Sequence, residues 1–175
     1  MKKTIFTYGL LSGGIMMLMI LITCIFKDSI GFDKGEYFGY TTILLAFTLV
    51  FFGIRSYKIN NEEIGFWKAF GIGIAITTIS SVLYVISWMV VKPIFMPNFY
   101  QDYAQYYYDH MKAAGASTAK LLECKKQMND MIEMTKNPIV ESLLVFIEPF
   151  PVGIVVTLIS ALILRKKNRI QISNQ

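Results

Sequence analysis

The chain has 175 residues, 54% of them hydrophobic and only 17% charged, with a mean hydropathy of +0.49. Soluble domains carry about 25% charged residues, so this chain has too few charges to wet a globule of its size. Its composition also excludes disorder, collagen and coiled-coil rods, and its two cysteines exclude a small disulfide scaffold. The net charge of +5 fits a basic face against anionic lipid headgroups, and no nucleic-acid partner is expected.

Four apolar segments follow one another along the chain. Residues 4–26 carry no charge and exceed the roughly 20 residues a membrane helix needs. Lys2 and Lys3 precede this run, and it exits through Phe26, Lys27 and Asp28 with no small-residue cleavage site, so it reads as an uncleaved signal anchor. Residues 37–54 form a shorter second span and residues 67–91 a third. The fourth covers residues 142–164 and is interrupted by Glu148, Pro149 and Pro151. Lipid offers no hydrogen bonds to backbone, and alternating strand patterns are absent, so each span is expected to be a helix.

Lysine and arginine in the short flanks set the expected orientation. Lys2, Lys3, Arg55, Lys58, Lys68, Arg165, Lys166, Lys167 and Arg169 all fall on one side, which places both termini in the cytoplasm. On the other side Lys27 and Lys34 are offset by Asp28, Asp33 and Glu36.

The connection between the third and fourth spans is too long for an unstructured loop. Pro97-Asn98 with Gln101 resembles a capping box, Gly115 is a C-terminal cap, Ser117 is the next N-cap, and Asn137-Pro138 ends the second arm. These signals predict an extracytoplasmic helical hairpin over residues 98–136, with Phe99, Tyr103, Tyr106, Tyr107 and His110 forming an aromatic stripe that faces a Leu/Met stripe. Tyrosines over residues 103–108 match a membrane–water interface. Met128, Met131 and Met134, with His110 on the other arm, form a soft-metal candidate of thioether type, although methionine also fills apolar seams without any metal. Cys24 and Cys124 are not expected to be bonded.

Catalytic chemistry is thinly represented. His110 is the only histidine, and no phosphate loop, nucleophile elbow or CxxC is present, so no enzyme, catalytic residue or cofactor is expected. Small residues recur instead at helical spacing: Gly9 and Gly13 on the first span, Ala69, Gly73 and Thr77 on the third, and Gly153, Thr157 and Ala161 on the fourth. This pattern drives membrane helices together, within the chain or against a second copy. Glu148, Pro149 and Pro151 form a polar break in the fourth helix. A charge at mid-membrane costs about 2.5–3.5 kcal/mol on insertion scales, and the prolines deprive the Val145 and Ile147 carbonyls of helical partners. One reading is a kinked entry at the interface, where Glu148 meets headgroup water or pairs with Lys92 or Lys136. The other is an ion- or proton-handling site of transporter type.

Phe52-Gly53-Ile54-Arg55-Ser56-Tyr57 and Gly65-Phe66-Trp67-Lys68-Ala69-Phe70 resemble the second connection of a known family. Met111-Lys112-Ala113-Ala114-Gly115-Ala116-Ser117 is similar to its outer lobe, and Glu148-Pro149-Phe150-Pro151-Val152-Gly153 through Leu164 to its last helix. The family is DUF4199, small bacterial inner-membrane proteins grouped as a domain of unknown function. The resemblance implies one four-helix membrane domain over residues 1–175 in the inner membrane, and it brings no activity or cofactor. The expectation is an all-α integral membrane bundle of four helices with a hairpin between helices 3 and 4. Function is expected to be that of a non-enzymatic accessory or regulatory subunit, acting through its hairpin and residues 55–65 on a membrane partner or a second copy. A small oligomeric transporter using Glu148 is the alternative.

Overall fold

The computed structural model describes residues 1–60 and 64–166, so Lys167, Arg169 and part of the 55–65 connection lie outside the described residues. The chain runs through α1 (Lys2–Ile25), α2 (Lys27–Asn60), α3 (Phe66–Phe95), α4 (Phe99–Ala113), α5 (Thr118–Thr135), α6 (Pro138–Ile147) and α7 (Phe150–Leu164). Four stretches are long and apolar enough to cross a bilayer: α1, α2, α3 and the run Pro138–Leu164 that joins α6 to α7. This is the four-span, all-helical membrane architecture expected, with α4 and α5 as a shorter pair between spans three and four.

Boundaries differ most at the second span. It begins at Lys27 rather than at residue 37, because Lys27, Asp28, Asp33, Lys34 and Glu36 interrupt the hydropathy while the chain stays helical on either side of one kink. Only Gly31, at φ 67 and ψ 172, leaves helical geometry and kinks the segment, a conformation open to glycine for want of a Cβ. In the hairpin, Gly115 at φ 77 closes α4 as predicted. Its N–H donates to the Lys112 carbonyl and the Ala116 N–H to the Met111 carbonyl, both at 3.1 Å, a Schellman arrangement. The predicted capping box does not form. Asn98 and Ser117 occupy the N-cap positions but make no side-chain cap bond, whereas Asn137 Oδ1 accepts from the Ile139 N–H at 3.0 Å and caps α6.

Lipid tails are as apolar as leucine, so the spans associate through close packing. A Cβ on Gly9 would stand 2.8 Å from Ile79 Cγ2 and one on Gly13 2.5 Å from Leu83 Cδ1, which seats α1 on α3. The α3–α7 contact is reciprocal: Gly73 faces Thr157 and Gly153 faces Thr77, with hypothetical Cβ distances of 2.5 and 2.2 Å. The two threonine hydroxyls meet at 3.3 Å between them, and Ala69 and Ala161 are fully buried on the same stripes. Hydroxyls also tie α1 to its neighbours, Ser12 Oγ donating to the Ala46 carbonyl at 2.9 Å and Ser80 Oγ to the Gly9 carbonyl at 3.2 Å. Phe47, Val50 and Ile54 of α2 and Ile72 and Ile76 of α3 complete the core.

Because Thr77 is fully buried, Gly153→Val forces overpacking and is expected to destabilise by about 1–3 kcal/mol or more. Gly39→Ala meets nothing within 4 Å and should be neutral or stabilising by up to about 1 kcal/mol. Unfolding midpoints of both variants in mild detergent check the contrast.

Candidate functional site

The fourth span changes partners at its break. Below the break α7 packs along both α2 and α3; above it α6 lies against α3 and α5, with at most marginal contact to α2. Glu148 and Pro149 keep right-handed helical dihedrals, so the chain passes from α6 to α7 through a short interruption. Between α2 and α6, roofed by the hairpin, lies a cavity of about 630 Å³. Met16, Ile20 and Cys24 of α1 and Ile43 of α2 give it an apolar side, Tyr84 and Trp88 of α3 line it with aromatic groups, and Phe99, Tyr103 and Met131 of the hairpin form its roof. This volume lies inside the range of small-molecule pockets, about 300–1,000 Å³.

Glycines punctuate the wall that α2 provides. Gly31, Gly35 and Gly39 recur every fourth residue along α2 and all three line the cavity. A Cβ on Gly31 or Gly39 meets nothing within 4 Å, and one on Gly35 meets only Ile30 of its own helix, at 4.0 Å. These glycines differ physically from Gly9, Gly13, Gly73 and Gly153, whose missing Cβ atoms are filled by a neighbouring helix.

Acidic groups are placed by two complementary stripes. Glu141 and Glu148 stand seven residues apart on one face of the fourth span, and Tyr84, Trp88 and Lys92 stand four apart on α3. Glu148 Oε2 accepts from the Tyr84 hydroxyl at 3.0 Å and lines the cavity. It pairs with neither Lys92 nor Lys136, as the interfacial reading had it; those lysines bind Glu141 at 2.7 Å and Glu133 at 2.6 Å. Pro149 is buried directly behind Glu148, and Pro151, in the first turn of α7, is exposed.

Glu141, which sequence reasoning left just outside the fourth span, is the centre of the polar network. Only 4% exposed, it accepts at one oxygen, Oε1, from Lys92 Nζ, from Trp88 Nε1 at 3.1 Å and from the Tyr100 hydroxyl at 2.9 Å. The Lys92 ammonium also lies 4.9 Å from the Tyr100 ring centroid, within cation–π range. Burial pushes the Tyr100 phenol up, and its bond to Glu141 adds to the shift. The network joins α3, α4 and α6, and so fixes the roof to the bundle.

The aromatic stripe of α4 finds ring contacts on α2. It packs on Phe32, just past the Gly31 kink, with ring centroids 5.9 Å away for Phe99, 5.7 Å for Tyr103 and 5.3 Å for Tyr106. Tyr106 donates to Asp33, and that bond pushes its phenol up to about 12. Tyr107 is exposed. On α5 the buried stripe is Cys124 and Thr135 with half-buried Met128 and Met131, whereas Met134 is 51% exposed. His110 is exposed on α4, its ring 6.0 Å from that of Tyr106. The soft-metal candidates therefore diverge: Met131 faces the cavity and Met134 turns away from it. Cys24 and Cys124 are both buried and unbonded.

A family model described as a protein of unknown function, DUF4199, matches residues 7–166. No curated protein and no solved structure matches the chain.

Removing one partner from a buried ion pair costs about 3–5 kcal/mol, because the other charge is left uncompensated. Glu141→Ala is expected to lose stability of that order, and Glu141→Leu combined with Lys92→Met to recover most of it. Chemical unfolding of the two variants in detergent separates the outcomes.

Proposed function

The chain belongs to the DUF4199 family, whose description carries no activity, so the functional reading starts from the cavity: we propose a non-enzymatic accessory or regulatory membrane protein that holds a ligand beneath its hairpin. The observation that carries this is the Gly31/Gly35/Gly39 wall. At Gly9, Gly13, Gly53, Gly73 and Gly153 the missing Cβ lets helices touch; along this stretch of α2 the glycines border a cavity that no helix fills. The lining offers carboxylates, phenols and the Cys24 thiol, and His110 lies away from it on α4. These groups suit recognition better than turnover.

The reading includes an orientation in the bacterial inner membrane. Lys2, Lys3, Arg55, Lys58, Lys68, Arg165 and Lys166 cluster at the end away from the hairpin, and every described Asp and Glu lies in the hairpin half. Positive charge favours the cytoplasmic side, which puts the start of α1 and the end of α7 inside and the hairpin outside. With Cys24 and Cys124 replaced by Ala, Ser117→Cys should react with an impermeant maleimide on intact cells. Asn60→Cys should react only after permeabilisation, and the reverse pattern would invert the topology.

The cavity reading is tested by filling it. Wild type and the Gly35→Leu/Gly39→Leu variant would be extracted mildly from native membranes and examined by native mass spectrometry. The wild type is expected to carry a stoichiometric small-molecule adduct that the variant loses, with the variant's unfolding midpoint unchanged or higher. An adduct that persists on the filled variant, or a wild type bare in every extraction, overturns the proposal. The same spectra show whether a foreign subunit accompanies the chain, as an accessory role requires.

A further inference from the structure

We propose that the ligand of this cavity is a lipophilic organic cation, an ammonium or phosphonium centre on an apolar body, which enters sideways between α2 and α6. The inference rests on the cavity reading above and specifies what the cavity selects. Its charge is one-sided: Asp28, Glu36, Asp102 and Glu148 line it against Lys27 alone, and the Lys27 ammonium already donates to the Phe95 carbonyl at 3.1 Å. Among the described residues, the ion pairs are Lys92–Glu141 and Lys136–Glu133, so none of the four lining carboxylates is neutralised by a basic side chain. An anion is repelled by such a site, and a neutral ligand gains no charge attraction from it.

The remaining walls suit an organic cation better than a bare metal ion. No group of three or more His, Cys, Asp or Glu that could hold one is found among the described residues. Met16, Ile20 and Ile43 provide no oxygen ligands, and a hard cation needs about six. What the walls do provide is aromatic faces, from Phe32, Tyr40, Tyr84, Trp88, Phe99 and Tyr103. Ring quadrupoles attract an organic cation that has little hydration to lose, and quaternary ammonium groups are commonly held in this way. The apolar lining takes the rest of the molecule.

The route follows from exposure. Glu36 and Tyr40 on α2, Leu144 on α6 and Glu148 at the break line the cavity and are all exposed. They flank the gap that α6 leaves by not packing on α2. A ligand dissolved in the bilayer meets acid and aromatic groups there, without crossing the roof.

The test uses the full chain in nanodiscs with tetraphenylphosphonium as probe and tetraphenylborate, of the same shape and opposite charge, as control. Saturable binding of the cation and none of the anion is expected. Glu36→Gln and Glu148→Gln should each weaken cation binding by about tenfold, the scale of one charge at short range in a partly screened site. The amide introduced by Glu148→Gln still offers an acceptor to Tyr84, so the fold is kept. Equal binding of both probes, or full affinity in the Glu36→Gln/Glu148→Gln double variant, overturns the cation assignment. If Gly35→Leu/Gly39→Leu loses its native adduct but wild type does not prefer the cation, the cavity stands and this assignment falls. If the filled variant still binds the cation at full affinity, the cavity reading itself falls. Nanodiscs with and without phosphatidylethanolamine identify the source of the ammonium: competition by that lipid means an aminolipid headgroup, and its absence means a free cation.

Discussion

The reciprocal contact between α3 and α7 is the constraint on which the rest depends. Each helix presents a glycine followed four residues later by a threonine, and each glycine receives the other's threonine. In a bilayer, where burying leucine against leucine gains little over leucine against lipid, this close approach is what holds the fourth span to the third. It fixes α7 firmly and, through Phe47 against Gly153, brings α2 into the same contact. The upper part of the fourth span is then free to diverge, and the break at Glu148-Pro149 is where it does so. The cavity is therefore a product of tight packing at one end of the bundle and departure from it at the other.

Glycine serves two opposite ends in this chain. At Gly9 and Gly13 of α1, Gly73 of α3 and Gly153 of α7 its missing Cβ is occupied by a side chain of another helix. On the hairpin half of α2 the same four-residue spacing lies against open volume. Spacing alone does not distinguish the two, and only the position of the neighbouring helix decides which role a glycine has. The kink at Gly31 adds a third use, turning Phe32 towards the hairpin so that the rings of α4 have a surface to rest on.

Much of this architecture was legible in the sequence. Charge-free runs, the second of them short, gave three of the spans, Gly115 and Asn137 marked the ends of the hairpin arms, and small residues at four-residue spacing lay on stripes that meet in the bundle. Glu148 was visible as a charge within an apolar run. The site around it was less accessible, for identifiable reasons. Glu141 fell just before the start of the hydropathic segment at residue 142, although it stands two helical turns before Glu148 on the same face. Lys92 was read only as a partner for Glu148, yet with Tyr84 and Trp88 it forms the matching stripe on α3. Gly35 and Gly39 sat in or beside a charged stretch read as a loop, so their periodicity carried no meaning until that stretch proved helical. The pairing of Lys92 with Glu141 rather than Glu148 depends on the register between two helices, which neither helix encodes alone.

The Glu141 network also has an order in time. Trp88, Lys92 and Tyr100 all leave the ribosome before their common acceptor, so three donors and one positive charge wait for a carboxylate encoded some forty residues after the last of them. Until the fourth span emerges, the Lys92 ammonium and the Tyr100 hydroxyl lack the carboxylate that accepts from both. Latching of the roof is thus coupled to completion of the chain, and the hairpin becomes a lid only when the final helix has been delivered to the membrane.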